Sequence, residues 1–357
     1  MVNRRIIVYA AALSVLSGCA GHTLSRKDRP SGPNATTVTI RDQGVDVKVG
    51  HLQRGIELVN RGDLDGAIAE FRTAIRVDPN DATAHYDLGH ALHDKGDLDE
   101  TIAEYRTTIR LDPNHEHAHN ALGRALQTKG KLDEAIAEYR TSLRLNPSQV
   151  RTHNNLGIAL RDKGELEEAI SEWRATLRLD PNVAEPHTNI GLVLHENKGD
   201  LDGAIDEYHA ALRLAPNDSR AHYNLGNALR DKGDVAGAIE EYRSALRLTP
   251  RFAEAHINLG LVLQDQGGLD SAIEEFRTVL AMYPNRADAH LDLGIALQQK
   301  RDLDGAHAEY RTALHLYRDM VKYLEEFLSK TPDTPLNRRR IDQARKRLEI
   351  LSSLPEK

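Results

Sequence analysis

Histidine first invites a chemical reading, because the chain holds 17 of them. Eight recur in one column: His51, His85, His119, His153, His187, His222, His256 and His290. Neighbours in that column are 34 residues apart, save one pair at 35. Imidazoles sharing one metal ion must converge to within about 2 Å of it. Successive helix pairs would hold these rings about 9–10 Å or more apart, so the column reads as half-buried packing and hydrogen-bonding histidine. A denser group comprises His90, His93, His115, His117 and His119 around Glu116. His90 and His93 lie one helical turn apart, so a surface zinc, nickel or copper site is the alternative reading. No cysteine shell supports it, since Cys19 is the single cysteine. The same count excludes a disulfide framework within one chain. No phosphate loop, nucleophile elbow, zinc-protease helix or kinase element is present. The expectation is no catalytic residue, no metal and no cofactor.

The carboxylates follow the same period. Glu70, Glu104, Glu138, Glu172, Glu207, Glu241, Glu275 and Glu309 form one column, and Arg72, Arg106, Arg140, Arg174, Arg243, Arg277 and Arg311 another. Columns of opposite charge read as ion-pair rows that keep a surface soluble, not as acid–base pairs. The amides are more informative. Asn155, Asn189, Asn224 and Asn258 share a column, with Asp87 and Asp292 in its outer positions and Ala121 breaking it. An amide side chain offers a donor and an acceptor, so a row of them can pair with the N–H and C=O of an extended polypeptide. The plainer reading is that Asn is only tolerated there. Ile158, Leu192 and Leu261, with Asn227 in the same column, add apolar contact one turn away. Arg161, His195, Arg230 and Gln264 add donors, with Asp162 and Asp231 beside them. The candidate peptide-binding set is therefore Asn155, Asn189, Asn224, Asn258, Asn227, Arg161 and Arg230.

Helices must position these columns. In residues 222–250, Leu225, Ala228 and Leu229 fall on one helical stripe, and Ala238, Ile239, Tyr242, Ala245 and Leu246 on a second. Lys232-Gly233-Asp234 makes the turn between them, and Pro250 ends the unit. Gly recurs at Gly55, Gly89, Gly123, Gly157, Gly191, Gly226, Gly260 and Gly294, and Pro closes units at Pro79, Pro113, Pro147, Pro181, Pro216, Pro250 and Pro284. Lys198 reads as a single inserted residue. A fixed period of this size marks a stacked-repeat array, since one hairpin cannot cover its own apolar faces.

Gly226, Ala238, Tyr242, Ala245 and Pro250 each match a column of the tetratricopeptide repeat family, which residues 48–320 resemble. In the first repeat Gly55, Gly62, Ala67, Phe71, Ala74 and Pro79 match, with Arg54 as a departure. The resemblance implies an all-α fold: a right-handed superhelical solenoid of about eight helix-turn-helix repeats, first helices lining a concave groove. The Asn row is similar to the asparagine ladder in the repeat region of protein O-GlcNAc transferases, which holds polypeptide substrates. That enzyme's glycosyltransferase domain has no counterpart here. The aromatic column (Phe71, Tyr105, Tyr139, Trp173, Tyr208, Tyr242, Phe276, Tyr310) is expected to fill the gaps between hairpins. In the eighth unit Arg301 replaces the turn Gly and Arg318 stands at the Pro position, so the last helix should run to about Ser329. Residues 321–357 then form an extension and a capping helix from Leu336, with Ile341, Ala344, Leu348 and Leu351 on its apolar face and Arg338, Arg339, Arg340, Lys346 and Arg347 facing water.

At the other end, residues 1–18 have Arg4 and Arg5 before the apolar run Ile6 to Ser17, the layout of a secretory signal peptide. Leu16-Ser17-Gly18-Cys19 resembles the lipobox of bacterial lipoproteins, which implies a lipidated Cys19 after cleavage. Ala20 at the next position favours the outer membrane over the inner one by the same resemblance. Residues 19–47 read as a flexible tether, ending in an alternation of Val38, Ile40, Val45, Val47 and Val49 that fits either a small hairpin or an extended linker. A formal charge of −7 is too mild to argue for nucleic acid, and 4 % aromatics give no stacking platform.

The expected function is a non-catalytic, membrane-anchored protein-binding scaffold or adaptor of the cell envelope, facing the periplasm. A metal- or small-ligand-binding lipoprotein, and an accessory factor of polysaccharide export or glycosylation, are the alternatives. Oligomeric state and partner are not written in the sequence. If Cys19 carries two acyl chains, anchoring is stable where one chain would be marginal. Cys19→Ser should then leave an unprocessed precursor and abolish acyl-chain labelling; unchanged processing and labelling would refute the lipobox reading.

Overall fold

The computed structural model describes residues 34–330 together with 342, 343, 345, 346 and 349. Cys19, residues 1–18 and the expected cap positions Ile341, Ala344, Leu348 and Leu351 lie outside the described residues. Among the described residues every regular element is helical. The chain divides into two compact units, Met1–Asp180 and Pro181–Lys357.

The first unit holds α1 (Asn34–Arg61), α2 (Leu64–Val77), α3 (Ala82–Lys95), α4 (Leu98–Leu111), α5 (Glu116–Thr128), α6 (Leu132–Leu145), α7 (Val150–Lys163) and α8 (Leu166–Leu179). The second holds α9 (Ala184–Val193), continued by a π-helical turn at Leu194–Lys198, and α10 (Leu201–Leu214). It goes on through α11 (Ser219–Lys232), α12 (Val235–Leu248), α13 (Ala253–Asp265), α14 (Leu269–Met282), α15 (Ala287–Gln299) and α16 (Leu303–Lys330). Odd and even helices pair as antiparallel hairpins, and within each unit every hairpin packs on the next. Helix α16 runs on past Arg318 to Lys330, as a helix without a closing Pro should.

The alternation at Val38–Val49 is neither hairpin nor linker, because α1 already begins at Asn34. Lys48 and His51 explain why helix wins. One turn apart on α1, they share a face, whereas on a strand they would point to opposite sides. Lys48 Nζ reaches Asp81 Oδ2 at 2.8 Å and Asp78 Oδ2 at 3.0 Å, while His51 meets Glu70.

Each hairpin is seated by a ring over a glycine. The aromatic residue of the even helix lies against the Gly of the odd one so closely that a Cβ on Gly157 would stand 2.5 Å from Trp173 Nε1. Trp173 and its equivalents Phe71, Tyr105, Tyr139, Tyr208, Tyr242 and Phe276 are fully buried. Beside the ring sits the histidine column. His85, His119, His153, His222, His256 and His290 each place Nδ1 2.5–2.6 Å from the Glu 19 residues on, and Nε2 2.9–3.2 Å from the carbonyl of the preceding Pro. His51 and His187 make the same bond to Glu70 and Glu207. In the six rings with both contacts, each nitrogen faces an oxygen, an arrangement that suits an imidazole donating from both.

This corrects the pairing expected for the Glu column, whose partners are these histidines. The arginines reach the even helix of the next repeat instead: Arg72 to Glu100, Arg106 to Glu134 at 2.9 Å, Arg140 to Glu168 at 2.6 Å. Lys95–Asp65, Lys163–Asp133 and Lys232–Asp202 add a second row between successive repeats.

The odd-to-even turn uses a left-handed residue. Gly96, Gly164 and Gly233 take φ near +90°, and Arg301 takes φ +67° at the same place. A side chain there costs about 1–2 kcal/mol. Arg301→Gly should therefore raise the unfolding free energy by about 1 kcal/mol, after allowance for the looser unfolded chain; no gain in denaturant midpoint would contradict this.

The bond to Glu172 raises the pKa of His153 above its ordinary value despite partial burial. Burial opposes the rise at His119 and His256, but the carboxylates of Glu138 and Glu275 and the Pro carbonyls outweigh it. A raised folded pKa gives stability that is full below the unfolded value near 6.5 and is lost as pH climbs through the folded one. Melting should be higher at pH 6 than at pH 8.5. His153→Ala should cost about 1.5–3 kcal/mol at pH 6 and less at pH 8.5, which paired denaturation curves would check.

Candidate functional site

The amide row lies on the odd helices, two residues beyond the clipped histidines. In the first unit Asn155 is half-buried on α7, and its Nδ2 donates to Asn120 Oδ1 on α5 at 3.1 Å. Further along α7, Arg161 Nη2 donates to Asp162 Oδ1 at 2.8 Å. Asp162 Oδ2 accepts from Gln127 Nε2 of α5 at 3.3 Å, and Gln127 Oε1 accepts from Tyr139 O–H at 2.9 Å.

The second unit has its own version. Asn258 on α13 donates through Nδ2 to Asn227 Oδ1 at 2.8 Å and to the Tyr223 phenolic oxygen Oη at 3.1 Å, both on α11. Asn227 Oδ1 also accepts from Tyr242 O–H at 2.8 Å. Burial pushes the Tyr242 hydroxyl up to about 12, so it stays a donor at any physiological pH. Asn189 on α9 is buried, and Asn224 on α11 is half-buried. Arg230 Nε donates to Asp231 Oδ1 at 3.0 Å, and Asp231 Oδ2 faces His195 Nε2 at 2.8 Å.

Arg161 and Arg230 each donate to the aspartate noted beside them in the sequence, which spends part of their donor capacity within the chain. One expectation changes. Asn258 has both amide hydrogens committed within the chain, so it cannot donate to a ligand and accept from it alike. What remains is Oδ1: among the described residues no hydrogen bond engages Oδ1 of Asn155 or Asn258. These oxygens can receive the N–H groups of an extended chain.

Sequence reasoning missed an aromatic feature beside each row. Tyr86 on α3 lies 4.7 Å, ring centre to ring centre, from His115 at the start of α5. Tyr223 on α11 lies 4.9 Å from Phe252 at the start of α13. The only signal was that scarce aromatics outside the packing column recur at equivalent places in two repeats.

The dense histidine group does not converge. His119 is clipped to Glu138, and His115 caps α5 by accepting the Ala118 N–H at 3.2 Å. His90 packs edge-on against Tyr86 at 4.5 Å, and burial drives its pKa down to about 4. His117 is exposed, 3.9 Å from Glu116. Among the described residues no three His, Cys, Asp or Glu side chains come together as a metal site would require, and no helix is long and apolar enough to cross a membrane.

No curated protein matches the chain. Among solved structures, a tetratricopeptide repeat protein from Parabacteroides merdae is similar at 15 % identity and TM-score 0.55, with 71 % of this chain and 99 % of that one covered. PilF of Pseudomonas aeruginosa is similar at 21 % identity and TM-score 0.52, covering 62 % and 96 %. MamA is similar at 26 % identity and TM-score 0.44, covering 46 % and 96 %. The first two likenesses concern the fold alone. A TPR repeat model matches residues 55–96, 89–130, 197–229 and 226–267, and a tetratricopeptide repeat model matches 120–184 and 257–320. With glycine, aromatic and proline columns in place and these matches spanning well over half of its length, the chain belongs to the tetratricopeptide repeat family.

Proposed function

We propose that this protein is a non-catalytic binding scaffold, held to a bacterial membrane through a lipidated Cys19, that grips extended polypeptide segments along its odd helices. Protein–protein interaction is the general role of tetratricopeptide repeats, and the amide row supplies a specific means. The observation that carries the reading is the pair of half-buried asparagines, Asn155 in one unit and Asn258 in the other. Each is fixed by a bond from Nδ2 to the preceding odd helix, with Oδ1 left as an acceptor. Preset acceptors cost little to order on binding. The lipobox at Leu16–Cys19 supports the anchor and an envelope location facing the periplasm.

Each amide contact should add about 0.5–1.5 kcal/mol net, so no single one decides affinity. Asn155→Ala alone should weaken capture of a partner, identified by crosslinking in intact envelopes, only a few-fold. Changing Asn155, Asn224 and Asn258 together should reduce it by more than tenfold while circular dichroism shows unchanged helix content. Asn189 is left in place so that the packing of α9 is not disturbed. A folded triple variant with native affinity would show the row to be ordinary solvated surface.

A further inference from the structure

Asp87 occupies the amide column on α3, at the position filled by Asn155 on α7 and by Asn258 on α13. It is only 8 % exposed. Asn155 bonds to the residue 35 places before it, and Asn258 to residues 35 and 31 places before. The same offsets from Asp87 lead to Leu52 and Ile56 on α1, two apolar side chains of the cluster around Phe71. At the places where its counterparts find amide or hydroxyl partners, α1 carries hydrocarbon side chains. Among the described residues no hydrogen bond or ion pair reaches its carboxyl.

The surrounding charges do not relieve it. From the start of its own helix Asp81 acts on it unfavourably, and Lys48 of α1 is already committed to Asp81 and Asp78. Arg54 of α1 is committed to Glu70, and His85 to Glu104 of α4. His90 on α3 is neutral at physiological pH, while Arg124 and His115 of α5 act on His90. Burial, with a smaller contribution from Asp81, therefore pushes Asp87 up to about 7.

We propose that Asp87 is a proton-gated member of the amide row in the first unit. With its proton, the carboxyl presents a neutral C=O acceptor, as Oδ1 of Asn155 and Asn258 does, and adds an O–H donor. Without it, the group carries a charge that contact with a ligand would desolvate. This rests on the reading of the row as a polypeptide-binding surface. Its occupant is an extended backbone, and its regulation is the local pH.

Two measurements test it. The first is denaturation of wild type and Asp87→Asn between pH 5.5 and 8.5 without ligand. A folded pKa of about 7 over an unfolded value of about 3.9 means the Asp87 contribution is full below the unfolded value, is lost between the two, and levels off above about 7. Asp87→Asn should gain on wild type from pH 5.5 to about 7 and hold that gain above it; curves parallel from pH 5.5 upward would overturn the proposal, since the histidine column is common to both. The second uses dodecapeptides selected from a displayed library on wild type at pH 5.5. Their affinity for wild type should fall about tenfold or more at pH 8.5, and much less for Asp87→Asn. An equal fall in both proteins overturns the gating. A preserved denaturation difference, with binding indifferent to the Asn155/Asn224/Asn258 triple change, overturns the row as the ligand surface and the gating with it.

Discussion

An aromatic ring resting on a glycine is the contact on which the rest of each repeat depends. Across the eight hairpins of the described residues the missing Cβ would stand 2.4–2.8 Å from a ring atom, so any other residue must push the helices apart. The ring cannot yield, because it is walled in by Ala and Leu of the same core. With this distance fixed, the histidine four residues before the glycine meets its glutamate and proline carbonyl, and the column two residues after that histidine is aimed at the preceding odd helix. An amide row with reproducible orientation follows from this packing contact.

The fold was legible because its signals are steric and repeat. Gly157 opposite Trp173 is a statement about volume, and volume survives in a one-dimensional pattern. The charge network was less legible. Glu172 looked like a partner for arginines on its own helix, yet it belongs to His153, and only the hairpin brings the two together. Arg230 looked available beside Asp231, but whether an adjacent pair closes on itself depends on rotamers that a sequence does not specify. For the amides, the column was readable and the direction of donation was not. The cross-helix bond of Asn258 to Asn227 fixes which end of the side chain is spent.

The start of α1 shows the opposite failure. Alternating Val45, Val47 and Val49 suggested a strand, but a strand needs a partner, and α1 has α2 and the ion pairs of Lys48 to hold it as a helix. Local pattern lost to tertiary contact. Asp87 is a milder instance. Its place in the column was plain, yet its character comes from burial without a partner among the described residues, which only the folded chain reveals.

The residue added near Lys198 behaves like a dislocation healed within a single turn of a crystal lattice. Asp200 N–H donates to Leu194 O at 3.0 Å, where the matching bonds of other repeats, Glu165 to Leu160 and Asp234 to Leu229, span one residue fewer. The chain widens to a π-helical turn, Gly199 closes it at φ +66°, and every column resumes downstream in phase. Slack in the period therefore resides after the glycine and not before it. An insertion upstream of Gly191 would slide the seat from under Tyr208, whereas one in this turn only lengthens the path. Copying errors that change chain length are thus filtered by where they fall, and the end of an odd helix is where such a lineage can vary its length while keeping its register.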